Sequence, residues 1–116
     1  MSVTKKLWLY HITHLAEWDA AKKEGTYRAD SLASQGFIHC SSQVQVVQTA
    51  NRLYHGQTGL VLLQIDPERV HSEIRWENLE GGSELFPHIY GPLSTDAVIE
   101  VFDFTPQSDG SFKFPG

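Results

Sequence analysis

Cysteine is almost missing from this 116-residue chain, in which Cys40 stands alone. A single cysteine excludes an internal disulfide and fits a reducing compartment. No apolar run approaches the roughly 20 residues of a membrane span. Nor does a charged, then apolar, then small-residue pattern open the chain like a signal peptide. A cytoplasmic protein with no membrane partner is therefore expected. Positive charge is also scarce. Lys and Arg number 9 against 14 Asp and Glu, a formal net charge of -5 at pH 7. Lys5–Lys6 and Lys22–Lys23 are short basic pairs, far from the basic stripe that displaces counterions from a nucleic acid. No nucleic-acid partner is expected.

What the chain does have is enough apolar material, 41%, for one core, and a length suited to one domain over 1–116. "LWLYHIT" (7–13) alternates as a strand, with Leu7, Leu9 and His11 on one face and Trp8, Tyr10 and Ile12 on the other. "LAEWDAAKKEG" then carries Leu15, Trp18, Ala21 and Lys22 at helical spacing and ends on Gly25. Ser31 to Gln35 can form a helical turn closed by Gly36, and "FIHC" (37–40) a short strand. In "SSQVQVVQTANRLYHG", Ser42 and Gln45 stand in capping-box relation ahead of the apolar stripe Val46, Val47, Ala50, Leu53, Tyr54, and Gly56 ends it. "GLVLLQID" (59–66) reads as a strand buried on both faces. "SEIRWENL" (72–79) suits a half-exposed strand, and "AVIEVFDF" (97–104) the last long one. The core is expected over about 7–104, and 105–116 is expected to be a loosely held tail. Helices early and strands late point to an α+β fold with two or three short helices rather than a doubly wound sheet.

Three stretches place a histidine at the end of an element, where pockets form. In "YHIT", His11 and Thr13 share a face. In "GFIHCSS", His39 shares a face with Phe37 and Ser41, and a helix start follows. That start, with Ser41, Ser42 and Gln43, has free amides that suit a phosphate-containing ligand. In "ELFPHIYGPL" (84–93), an extended chain sets Phe86, His88 and Tyr90 on one face and Ile89 on the other, between Pro87 and Pro92. Plainer roles compete with each of these. The two serines serve equally as helix caps, Glu77 as an exposed strand carboxylate, and Cys40 as a small buried hydrophobe turned away from His39. Three histidines also admit a zinc site, but no pair has the close helical spacing typical of one, so no metal is expected.

The ordered set "YHIT", "GFIHCSS", "LVLLQID", "RWE" and "FPHIYGPL" resembles the bacterial family named domain of unknown function 952, from about Leu7 to Phe104. That family looks like a distant, minimal relative of the ADP-ribosyltransferase superfamily. The resemblance implies an α+β fold with a mixed or antiparallel split sheet that clasps NAD or an ADP-ribose-like ligand. Those enzymes use a first-strand histidine or arginine, a second-strand tyrosine or serine, and usually a later glutamate. His11-Ile12-Thr13 resembles the His-Gly-Thr type of first motif, with Ile12 where glycine is usual, and Ser41 resembles the second-motif serine. His88 and Tyr90 fall in a comparable late-strand region, where Glu77 is the nearest carboxylate. The implied catalytic set is His11, His39, Glu77 and His88. Thr13, Ser41, Ser42, Gln43 and Tyr90 would hold the ligand, Tyr90 by stacking and the helix start by meeting the pyrophosphate. The alternative is a nucleotide- or metabolite-binding module without catalysis. Glu77 decides between them, according to whether it reaches the histidines or faces solvent.

Overall fold

Leu9–His14 forms strand β1, and its neighbours bury it on both sides. In the computed structural model, which describes residues 7–115, β1 pairs antiparallel with β4 (Leu60–Ile65), and β4 pairs antiparallel with β8 (Val98–Asp103). The Lys5–Lys6 pair lies outside the described residues. One face of β1 and β4 sends Leu9, Val61, Leu63 and Ile65 into a core shared with Trp18, Ile38 and Ile89. The other face sends Tyr10, Ile12, Leu60 and Leu62 against Val46 and Ala50. Two-sided burial is why "LVLLQI" is continuously apolar instead of alternating.

Three helices connect the first strands. Helix α1 (Leu15–Glu24) buries Trp18 and Ala21 and closes on Gly25, whose left-handed φ of 81° a side chain would disfavour. Leu15, expected on its apolar face, is exposed. Helix α2 (Asp30–Gln35) is the predicted single turn, extended by one residue. Helix α3 (Gln43–Leu53) carries the expected capping box, with the Ser42 amide donating to Gln45 Oε1 at 2.9 Å. The short strands β2 (Thr26–Tyr27) and β7 (Leu93–Ser94) pair with each other. Strand β3 (Ile38–His39) pairs antiparallel with β6 (Phe86–Tyr90), and β6 with β5 (Glu73–Glu77). Over the described residues the result is a single α+β unit of antiparallel sheets with three α-helices.

One expectation needs correcting. The 105–115 segment is not a loose tail. Phe112 is buried and stacks on Phe104 at 4.7 Å between ring centroids. Phe114 meets Tyr10 edge-on. The Phe112 amide donates to Asn51 Oδ1 at 2.6 Å, and the Gly56 amide to the Gly110 carbonyl at 2.9 Å. Two isolated phenylalanines amid polar residues gave no periodic signal, yet they close the α3 side of the core. Phe112→Ala should therefore destabilise the protein by roughly 3 kcal/mol. Urea unfolding checks this, and a loss below about 1 kcal/mol would return the segment to a peripheral role.

Candidate functional site

Among the described residues, one backbone bridge joins the two three-stranded sheets. Tyr10 of β1 and Ser41, just past β3, exchange backbone hydrogen bonds of 2.8 Å in each direction. Beside this bridge opens a cleft of about 290 Å³. Its floor is Tyr10–Ile12 and His39–Ser41. One wall is α3, where Thr49, Arg52 and Leu53 share a face at i, i+3 and i+4. The opposite wall is the end of β5 with Glu77 to Glu80, together with Phe86 and His88 on β6.

Alternation and register bring the polar groups of this second wall together. His88 lies directly opposite His39 on one side and Arg75 on the other. Ile89 points the other way and is fully buried in the core, as its extended neighbours require. Glu77 sits diagonally across from His88, and its Oε1 accepts from His88 Nδ1 at 3.0 Å and from the Tyr90 hydroxyl. These two bonds, Tyr90 first, hold the Glu77 carboxyl below its ordinary range, so it is ionised at neutral pH. With the proton on Nδ1, His88 keeps a lone pair on Nε2. No fully buried side-chain nitrogen or oxygen among the described residues lacks a partner. His88 Nε2 has none among the described residues, and His88 lines the cleft, so this nitrogen opens on it. Phe37 stacks on the His88 ring at 4.3 Å and fixes its plane.

His39 is the third member of this row. Its ring stands edge-on to His88 at 5.3 Å, and Nε2 donates to Gln35 Oε1 at 2.6 Å. Partial burial and then the neighbouring His88 lower its pKa. Cys40 behind it is buried, and burial pushes its thiol up, which leaves no nucleophilic thiolate.

His11 is different. Both of its ring nitrogens are taken by protein: Nδ1 donates to the His39 carbonyl, and Nε2 meets the Tyr27 hydroxyl at 2.8 Å. Tyr27 continues to Thr13 Oγ1 at 3.0 Å, and Thr13 to the Glu17 carboxylate at 3.0 Å. Four contacts run along this chain. A neutral imidazole, a phenol and a hydroxyl supply only three protons, because the carbonyl and carboxylate at its ends can only accept. Burial nonetheless outweighs the gain from a fourth proton and lowers the His11 pKa to about 4.

Of the residues expected at the site, His11, His39, Ser41, Glu77 and His88 line the cleft. Thr13 lies beneath the floor in the His11 chain. Ser42 and Gln43 are not among the lining residues, and Ser42 is engaged as the α3 cap. Tyr90 is also outside the lining, and the Arg75 guanidinium covers its ring at 4.4 Å from the centroid, where a ligand ring was expected. The sequence reading passed over Gln35, Tyr27, Thr49, Arg52 and Glu80. The helical spacing of Thr49 and Arg52 was a usable signal. The partnership of Tyr27 with His11, across 16 residues, gave none. Among the described residues no three His, Cys, Asp or Glu side chains are grouped to hold a metal ion. Nor is any helix among the described residues long and apolar enough to cross a membrane.

Comparison with known proteins supplies a family and a fold. The family described as "Protein of unknown function (DUF952)" matches residues 12–101. The crystal structure of protein CC0527 from Caulobacter crescentus is 36% identical, with a TM-score of 0.82, covering 91% of this chain and 93% of that one. Its solution NMR structure is 37% identical, with a TM-score of 0.78, covering 90% of each chain. No curated protein matches the chain.

The buried His11 makes stability depend on pH. The unfolded chain takes up this proton near 6.5, the folded protein only near about 4. Between these values the unfolded state holds more protons, so stability falls as the pH falls. From pH 6.5 to 4.5 the loss from this residue is roughly 2 kcal/mol. His11→Gln abolishes this contribution, so urea unfolding at pH 7 and pH 4.5 should show a smaller acid loss in the variant. Equal losses would mean that His11 is not the group responsible.

Proposed function

The chain belongs to the DUF952 family, described only as of unknown function, and from the cleft we propose an enzyme acting on NAD or an ADP-ribose-like compound. The observation that carries this reading is Glu77. It is an ionised carboxylate at the cleft wall, it orients His88, and its second oxygen has no hydrogen-bond partner among the described residues. Cleavage of a nicotinamide–ribose bond develops positive charge on the sugar, and a fixed carboxylate stabilises that charge as it forms. His88 Nε2, with Nδ1–H held by Glu77, is a base aimed into the same space and suited to take a proton from an acceptor hydroxyl or water. The seam between two antiparallel sheets supports a likeness to the ADP-ribosyltransferase superfamily, with His11 on the first strand, Ser41 as the serine of the second motif and Glu77 as the later glutamate.

Two features adjust that likeness. The nitrogens of His11 are both committed to protein, so a ribose hydroxyl is left to His88 and Ser41. The cleft volume stands at the lower end of small-molecule sites, about 300 Å³. It suits the ribosyl end of such a ligand, with the remainder lying along the mouth.

The second reading is a binding module without catalysis. It is favoured by the double engagement of Glu77 Oε1, which offsets part of the charge available to a substrate. Glu77→Gln separates the two, because it keeps shape and removes charge. An enzyme should lose nicotinamide release from NAD by orders of magnitude in the variant, while affinity measured by calorimetry barely moves. Ligand-dependent stabilisation of wild type with no turnover assigns the binding role.

A further inference from the structure

The α3 wall carries a cation that neither the expected helix start nor the Glu77 cluster accounts for. Arg52 is the one Lys or Arg among the residues lining the cleft. It projects from the same helix face as Thr49, one turn away, while Val46 and Ala50 face the core. Its guanidinium reaches across the mouth to Glu80, with Nη1 to Oε2 at 3.6 Å. Glu80 is set there by Asn78, whose Oδ1 accepts from the amides of Glu80 and Gly82 at 2.8 and 3.0 Å. Asn78 Nδ2 in turn donates to the Glu84 carbonyl at 2.7 Å. The turn that presents Glu80 is thus organised, but the pair itself is exposed on both sides and too long for a tight bidentate bridge. Such a pair contributes little to stability. The start of the same helix, by contrast, is closed by its capping box, in which Ser42 accepts from the Gln45 amide and its own amide donates to Gln45 Oε1, and Ser42 and Gln43 do not line the cleft.

We propose that Arg52 is the phosphate-recognition residue of the cleft and that Glu80 is a placeholder carboxylate, which a ligand's phosphate displaces. This rests on the reading of the cleft as a site for an ADP-ribose-like ligand, and it names the group that holds that ligand's charge. The planar guanidinium offers paired donors to a phosphate, a geometry it does not achieve with Glu80. With the ribosyl end beside Glu77 and His88, the phosphate reaches the C-terminal turn of α3 rather than its capped N-terminus. Exchange of one exposed carboxylate for a phosphate keeps the guanidinium paired throughout, so the latch costs little to open.

The test is calorimetric titration of wild type, Arg52→Gln and Glu80→Gln with ADP-ribose, adenosine and inorganic pyrophosphate at low salt. Both variants alter exposed side chains, and thermal unfolding without ligand verifies that each folds. The expected results are ADP-ribose affinity at least about tenfold weaker in Arg52→Gln and several-fold tighter in Glu80→Gln. Pyrophosphate should follow the same order, and adenosine should be insensitive to both changes. Unaltered ADP-ribose affinity in Arg52→Gln overturns the assignment of Arg52 while leaving the proposed function standing. Weaker affinity in Glu80→Gln overturns the placeholder role. If none of the three compounds binds wild type, the reading of the cleft and the inference fall together.

Discussion

The pair of backbone hydrogen bonds between Tyr10 and Ser41 is the constraint on which this architecture turns. It is the bridge that brings the β1–β4–β8 sheet against the β3–β6–β5 sheet. Because it is made of backbone, it fixes register as well as proximity: a slip of one residue would exchange the faces of β1. His11 follows Tyr10 directly, so the bridge delivers its imidazole to the carbonyl of His39. The sheets part on one side of this point and leave the cleft. Residues 28 and 77 positions from His11 thereby enter one small volume, although nothing local in the chain joins them.

The three cleft histidines differ in what their ring nitrogens are left to do. In His11 both are consumed by protein, and burial makes protonation unfavourable. This histidine joins elements and does not meet a ligand through nitrogen. In His39 one nitrogen is bonded to Gln35 on a half-open surface. In His88 a carboxylate takes one nitrogen, and the other opens on the cleft. Function follows the unused valence. A carboxylate that fixes the tautomer and plane of an imidazole is the general device for making its far nitrogen useful, in metal sites and acid–base sites alike.

Much of the fold was legible in the sequence because each element carries its own period. The i, i+2 pattern in "FPHIYG" placed His88 and Ile89 on opposite faces, and β6 has that arrangement. Ser42 and Gln45 located the start of α3 to the residue. The α+β class followed from the order of such elements, and the family from a resemblance carried by motifs such as "GFIHCSS" and "FPHIYGPL". Period, however, describes one element and is silent on its partners. It could not show that Tyr27 supports His11, that Phe112 stacks on Phe104, or that Arg52 faces Glu80. Each of these joins segments whose separation is set by the tertiary fold. Tyr90 shows the opposite error: its face was read correctly, but a cross-strand neighbour, Arg75, had already claimed the ring.

Charge ties the site to the whole molecule. A chain of net charge -5 repels an anionic ligand at long range, so such a ligand has to be drawn by a local field rather than by steering. Within the cleft, Glu77 and Glu80 add to that repulsion, while the histidines offset it only when protonated. A permanent cation at the mouth therefore matters more here than it would on a basic protein. Its pairing with an exposed carboxylate keeps the empty cleft nearly neutral at that end without fixing it shut. The other end, around Glu77, remains anionic, and a ligand that places phosphate at the mouth and an electron-poor sugar at the wall meets both. On the proposed reading, the two ends discriminate by charge distribution along the ligand rather than by its net charge, which suits a site that directs its binding energy at one bond.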